Sequence, residues 1–175
     1  MPEPTTTPTT PPTAVESSHF AVGADQVWAY RLDFANLPEY NPDVSGVARL
    51  EDGAGSGGAQ GAGARYRFDL ADPRHPDRSH PVELWTVTAV EPTLVAAGMK
   101  GGNEAYEEFV VRPLGEDACE ATLTLWVTLP DGLSPEHAAA AAEMGRGQIR
   151  QELDLMRQVL EGRAGEDGRS NPSVQ

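Results

Sequence analysis

The chain has 175 residues, with 27 acidic against 13 basic side chains and a formal net charge of −14. That length suffices for one domain with a real core, and the charge has the wrong sign for phosphate backbones or anionic lipid surfaces. Nucleic acid is therefore disfavoured as a partner. The single cysteine, Cys119, excludes an intrachain disulfide and fits a reducing, cytoplasmic compartment. It follows Gly115, Glu116 and Asp117 at a hairpin, with no histidine near it in sequence, and reads as structural rather than nucleophilic.

In chain order, residues 1–13 are rich in Pro and Thr and have neither a basic start nor an apolar segment. They are expected to be a disordered tail, not a signal peptide or a membrane span. Glu16 to Val22 is a β-compatible run, and Gly23, Ala24 and Asp25 form a strand-to-helix turn with favourable negative charge in the first helical turn. Val27, Tyr30 and Phe34 then recur at helical spacing beside Trp28. Pro38 and Pro42 forbid one continuous helix, because each lacks an amide hydrogen and biases its predecessor toward extended backbone. Two short helices with a bend are predicted.

Six strand-like runs follow, at Val44 to Leu50, Ala64 to Leu70, Pro81 to Val90, Leu94 to Lys100, Glu104 to Arg112 and Glu120 to Leu129, separated by turn chemistry. Short connections favour sequential pairing in a meander. The Gly-rich stretch Asp52 to Gly63 is not a phosphate loop, since no Gly-Lys-Ser/Thr opens a helix after it. A long helix starts at Ser134 as N-cap, with Pro135 and Glu136 in the first turn, and is expected to end near Gly162. Its apolar stripe is Ala141, Met144, Gly145, Ile149, Leu153, Met156, Val159 and Leu160. Gly145 and Gly147 each cost about 1 kcal/mol against alanine in a helix interior, which leaves two readings: close backbone packing or empty volume. Residues 163–175 are expected to form a second disordered tail.

The pattern Phe20, Val27-Trp28, Asp33, Asn36-Leu37-Pro38, Tyr40 and Asn41-Pro42 resembles the SRPBCC superfamily, closest to its polyketide cyclase/dehydrase-like branch and related to START-type lipid-transfer domains. The resemblance runs from about Val15 to Leu160. Val22-Gly23 stands where that family commonly shows Ala-Pro, which alters a turn. The resemblance implies an α+β helix-grip domain over residues 14–162. Its seven-stranded antiparallel sheet would curl around a long C-terminal helix, with two short helices between strands 1 and 2. It implies an internal cavity and no shared catalytic motif. It also sets the Gly-rich loop 53–63 near one mouth of the cavity, where a gate would stand.

His19, His75, His80, His137 and Cys119 give no two-ligand spacing, so no metal and no cofactor are expected. His75 and His80 bracket a hydrophilic hairpin tip, at most a cavity rim, and His19 faces outward opposite Phe20. Ligand-binding candidates are Tyr40, Tyr66, Phe68, Trp85, Met99, Phe109, Met144, Gly145 and Gln148. Tyr66, Phe68 and Leu70 share one face against Arg65, Arg67 and Asp69. Trp85 runs in phase with Val87 and Ala89, and Phe109 with Val111. Leu123, Leu125 and Val127 oppose Thr122, Thr124 and Trp126, which puts Tyr106 and Trp126 outside.

The same phasing brings Glu83 and Glu107 onto apolar faces. A carboxyl in an apolar cavity would have a raised pKa and serve acid–base chemistry, whereas a twist or bulge would turn it outward, as unpaired glutamates usually are. Tyr66 is the more conservative polar handle. The expected function is binding of a small hydrophobic or aromatic molecule, lipid- or polyketide-like, by a monomer or homodimer. The alternative is a metal-free cyclase or dehydratase-type lyase, whose catalytic candidates would be Tyr66, Glu83 and Glu107. A protein-interaction module is a third reading, disfavoured by the acidic exterior.

Overall fold

The computed structural model describes residues 8–72, 75–100, 103–129 and 131–169. The alternating runs form β1 (Ala14–Phe20), β2 (Val44–Glu51), β3 (Arg65–Asp72), β4 (His75–Val90), β5 (Thr93–Lys100), β6 (Asn103–Gly115) and β7 (Ala118–Val127). They make one antiparallel sheet in the order β1-β7-β6-β5-β4-β3-β2. Strands β2 to β7 are the predicted meander, and β1 returns to pair with β7 in the register Ala14 opposite Leu125 and Phe20 opposite Cys119.

Between β1 and β2 lie α1 (Ala24–Leu32), a 3-10 turn (Phe34–Asn36) and α2 (Leu37–Tyr40). The bend is built as the prolines require: the Asp33 carboxylate accepts from the Ala35 amide, and Pro38 enters the first turn of α2. Val27, Trp28, Tyr30, Phe34, Leu37 and Tyr40 are all buried on the sheet side. The predicted helix-grip architecture is thus the observed one.

The long helix α3 (Pro135–Arg169) starts as expected, with Ser134 Oγ accepting from the His137 amide at 3.3 Å. Its end differs. It runs past Gly162, so at least residues 163–169 belong to the helix and not to a tail. The reason is a local anchor: Arg163 donates to Glu39 at 2.7 Å and lies over the Tyr30 ring, while Tyr30 Oη donates to the same Glu39 carboxylate. The helix follows β1 in chain direction. Gly145 meets Ala14, Arg150 pairs with Glu16 at 2.8 Å, and Glu161 accepts from the Ala21 amide. Ile149, Leu153, Met156 and Leu160 fill the interface. Met144 is 65% exposed, because it sits one residue off that face. Residues 10 and 13 are also engaged, since Trp126 Nε1 donates to the Thr10 carbonyl and the Thr13 amide to that of Leu125. No described helix is long and apolar enough to cross a membrane.

Strand β4 departs most from expectation. It begins at His75 rather than Pro81, so His75 and His80 stand in a paired strand, His80 beside Asp72 at 3.4 Å. A register shift between Thr86 and Thr88 also inverts its phase. Val82, Leu84 and Thr86 point inward before the shift and Ala89 after it. Counting back from Ala89 through the bulge therefore misplaces Trp85 and Glu83, which face outward. Trp85 lies near the Arg65 guanidinium, and Glu83 is exposed.

Candidate functional site

The inner face of the sheet carries one aligned row across four strands: Thr86 opposite Ala96, Ala96 opposite Glu107 and Glu107 opposite Leu125. Beside it Phe68 pairs with Val82, and Leu84 with Gly98. Small residues at 96, 98 and 105 leave a hollow there that their larger neighbours wall. The resulting cavity is about 190 Å³, lined by Phe68, Leu70, Val82, Leu84, Ala96, Glu107 and Leu125, and also by Tyr106, which the alternation had put outside. A second hollow of about 140 Å³ adjoins it through Leu70, lined by Tyr40, Asn41, Asp43, Gln148, Gln151 and Glu152. The first is almost wholly apolar and the second polar.

Between them lies a buried ionic cluster organised by Arg31. Its guanidinium is 1% exposed, donating through Nη1 to Tyr40 Oη at 2.8 Å and through Nη2 to Glu107 Oε1 at 2.5 Å. The rings of Phe34, Tyr40 and Phe109 surround it at 5.0 to 5.6 Å. Burial works against the charged guanidinium, but Glu107 and Tyr40 oppose that, and its pKa is held above the ordinary arginine value. The Tyr40 phenol is pushed upward, mainly by burial, despite the cation beside it.

Glu152, on α3, accepts from Asn41 Nδ2 at 2.7 Å. Its carboxyl is enclosed by protein, though the residue as a whole is only half-buried. Burial pushes its pKa up to about 7, and nearby Glu107 adds to the rise against the opposing pull of Arg31 and Asn41. Near neutral pH this carboxyl exists in both protonation states, the condition for acid–base work.

The residues proposed from sequence divide accordingly. Phe68 and Glu107 line the apolar cavity, Tyr40 and Gln148 the polar one. Tyr66 and Phe109 are core: Tyr66 packs edge-on against Phe34 with ring centroids 5.4 Å apart, and Phe109 lies under Arg31. The buried Tyr66 hydroxyl has no partner at hydrogen-bonding geometry, although Asp33, Arg49 and the Phe34 backbone are near enough to act on its proton; burial raises its pKa. Trp85, Glu83 and Met144 lie outside. Met99 stands in β5, its side chain outside the described residues. Gly145 is buried against Ala14 and Leu125, so its role is close packing, while a side chain at Gly147 would meet nothing.

Cys119 is buried and burial raises its pKa, as for a structural thiol. The Gly-rich loop is folded on itself through an Ala54–Ala62 bridge, and Gly53 and Gly61 approach too closely for any Cβ. It joins the N-terminal end of β3, whereas Phe68 and Leu70, which line the cavity, lie further along that strand. Among the described residues no three His, Cys, Asp or Glu side chains converge as metal ligands.

Arg31 and Glu152 were not singled out from the sequence, yet both carry a signal. Arg31 sits four residues after Val27 and three before Phe34 on the buried stripe, and Glu152 stands three residues after Ile149. A charge on the apolar face of an amphipathic helix needs a partner in the interior.

Solved structures share this architecture. A START superfamily protein from Mycobacterium smegmatis superposes with a TM-score of 0.68 at 15% identity, covering 85% of this chain and 96% of that one. The Zhui aromatase/cyclase from Streptomyces gives 0.59 at 14% identity, covering 91% and 97%. Truncated norcoclaurine synthase from Thalictrum flavum gives 0.58 at 14%, covering 83% and 91%. At such identities the likeness is one of fold. No curated protein matches the chain in sequence. Residues 11–161 match the family model described as polyketide cyclase / dehydrase and lipid transport, and with the helix-grip fold around an apolar cavity this chain belongs to that family.

Proposed function

We propose that the chain binds a small, mainly apolar molecule, lipid- or polyketide-like in its body, within the cavity under β3 to β7. The observation that carries this is the hollow of about 190 Å³ walled by Phe68, Leu70, Val82, Leu84 and Leu125, with Tyr106 and Glu107 as its polar residues. Such a wall gives affinity by area, and one or two fixed polar groups orient the ligand. The single buried cysteine is consistent with work in the reducing cytoplasm.

A second reading, catalysis of the cyclase or dehydratase type, is favoured by one feature. The Glu152 carboxyl, held at about 7, adjoins Tyr40 and Arg31 beside the cavity. It would take a proton from an activated carbon or return one to a leaving hydroxyl, while the apolar wall holds the chain folded.

Native mass spectrometry of the freshly purified protein, combined with displacement of an apolar fluorescent dye, tests the binding reading. Ala105→Trp, which fills the hollow from its lining, should abolish dye binding while circular dichroism stays unchanged. Dye binding that survives this substitution would place the ligand elsewhere. Turnover by the wild type and not by Glu152→Gln would establish the second reading.

A further inference from the structure

The described residues lining the two adjoining hollows include three carboxylates, Glu107, Asp43 and Glu152, and no lysine, arginine or histidine. The one cation nearby is turned away from both hollows, although its Nε has no partner among the described residues. Arg31 lines neither hollow, has both terminal nitrogens committed to Tyr40 and Glu107, and is packed among three aromatic rings. Buried behind Tyr40 and Glu107 and lining neither hollow, it does not present a two-nitrogen fork to a ligand carboxylate or phosphate there. Arg31 and Glu107 balance one another, so the cluster gains a net negative charge when Glu152 ionises. An anionic ligand entering this space would be repelled by the ionised carboxylates, whereas an ammonium would compensate the charge of Glu152.

Resting on the binding reading above, we infer that the ligand is an aromatic or apolar molecule bearing a protonated amine, its ring against Phe68, Leu84 and Leu125 and its ammonium toward Glu107 and Glu152. Carboxylates and phosphate esters of the same body are excluded by charge. The groups facing Glu152 are Arg31 from α1, Tyr40 from α2, Asn41 just after it and Glu107 from β6, with Asp43 on the rim. Arg31 draws the Glu152 carboxyl toward ionisation and Glu107 opposes that. Binding of an ammonium therefore favours the ionised carboxylate, and the proton leaves to solvent.

Three probes with one indole body separate the possibilities: tryptamine, tryptophol and indoleacetate, each titrated calorimetrically at pH 6.5 in two buffers of different ionisation heat. Tryptamine should bind at least about tenfold more tightly than indoleacetate, with tryptophol between, and should release a fraction of a proton. Glu152→Gln should remove the proton release and reduce the amine preference, and Glu107→Gln should reduce the preference and also lessen the release, because Glu152 then ionises more readily before the ligand arrives. Indoleacetate binding as tightly as tryptamine would overturn the inference and leave the binding reading standing. A preference unchanged in both variants would overturn the assignment to these carboxylates. If no probe bound and no apolar dye was taken up, the cavity reading would fail, and this inference with it.

Discussion

Glu152→Gln should make the protein more stable above neutral pH and change it little in acid. Burial holds the Glu152 carboxyl at about 7 against an ordinary value of 4.5, so between those values the folded chain keeps a proton that the unfolded chain has released. The stability contributed by that proton is fully present below about pH 4.5, declines as pH rises and is gone above about 7. A displacement of this size corresponds to something on the order of 3 kcal/mol. Glutamine preserves the shape of the protonated acid and does not titrate, so the variant escapes the loss. In urea, where a domain of this size has a slope of about 1 to 3 kcal/mol per molar, the midpoint of the variant should exceed that of the wild type by roughly 1 to 3 M at pH 8 and converge with it toward pH 5. Midpoints by circular dichroism at half-unit pH steps give the difference curve, in which titrating groups not coupled to Glu152 cancel. A flat difference would refute the raised pKa. A variant less stable than wild type above pH 7 would show instead that the ionised carboxylate, drawn to Arg31, is the stabilising form.

Replacing Arg31 by Met leaves Glu107 uncompensated and should cost about 3 to 5 kcal/mol, with Arg31→Met/Glu107→Gln recovering part of it in equilibrium unfolding. A double variant no better than the single one would show that Arg31 acts through its packing alone. Trp28→Ala, a large-to-small change at a buried site on α1, should lose about 3 to 5 kcal/mol, and an unchanged denaturant midpoint would put Trp28 on the surface. Gly145→Leu forces bulk against Ala14 and Leu125 and should destabilise by about 1 to 3 kcal/mol. Gly147→Ala meets nothing and should raise stability by about 0.5 to 1 kcal/mol through better helix propensity; the two thermal midpoints moving the same way would contradict this placement of the helix.

The fold was legible because its signals are local: Pro38 and Pro42 break the helix, Ser134 caps the next one, and alternation in β3 and β7 assigns their inner faces. What failed has a physical cause in each case. The β4 bulge at Thr86–Thr88 is set by pairing with β5, and nothing in the strand itself marks the extra residue, so Trp85 and Glu83 exchanged faces with Leu84. The end of α3 depends on Arg163 reaching Glu39 from 124 positions away in sequence. Within the site, Glu107 was visible as a carboxylate on an apolar phase, and the structure decides in favour of the inward reading. Arg31 and Glu152 were hidden only because an apolar stripe draws attention to its apolar members.

The same guanidinium that locks the fold also sets the chemistry of the cavity. Arg31 ties α1 to Tyr40 of α2 and to Glu107 of β6, and acts on Glu152 of α3 through charge. Of these, α2 and α3 line the polar hollow and β6 the apolar one. A buried pair of this kind contributes little net stability, because desolvation offsets attraction, yet removing one partner is severe. Its consequence is positional: Glu107 is held against the floor of the apolar cavity, and its charge keeps Glu152 from ionising readily. A substitution in the cluster will therefore move stability and ligand preference together, and loss of binding alone cannot identify a contact residue here. The pH dependence separates the two, since a purely structural defect shifts every condition alike, whereas an altered charge balance changes the difference between cationic, neutral and anionic probes most strongly where Glu152 titrates.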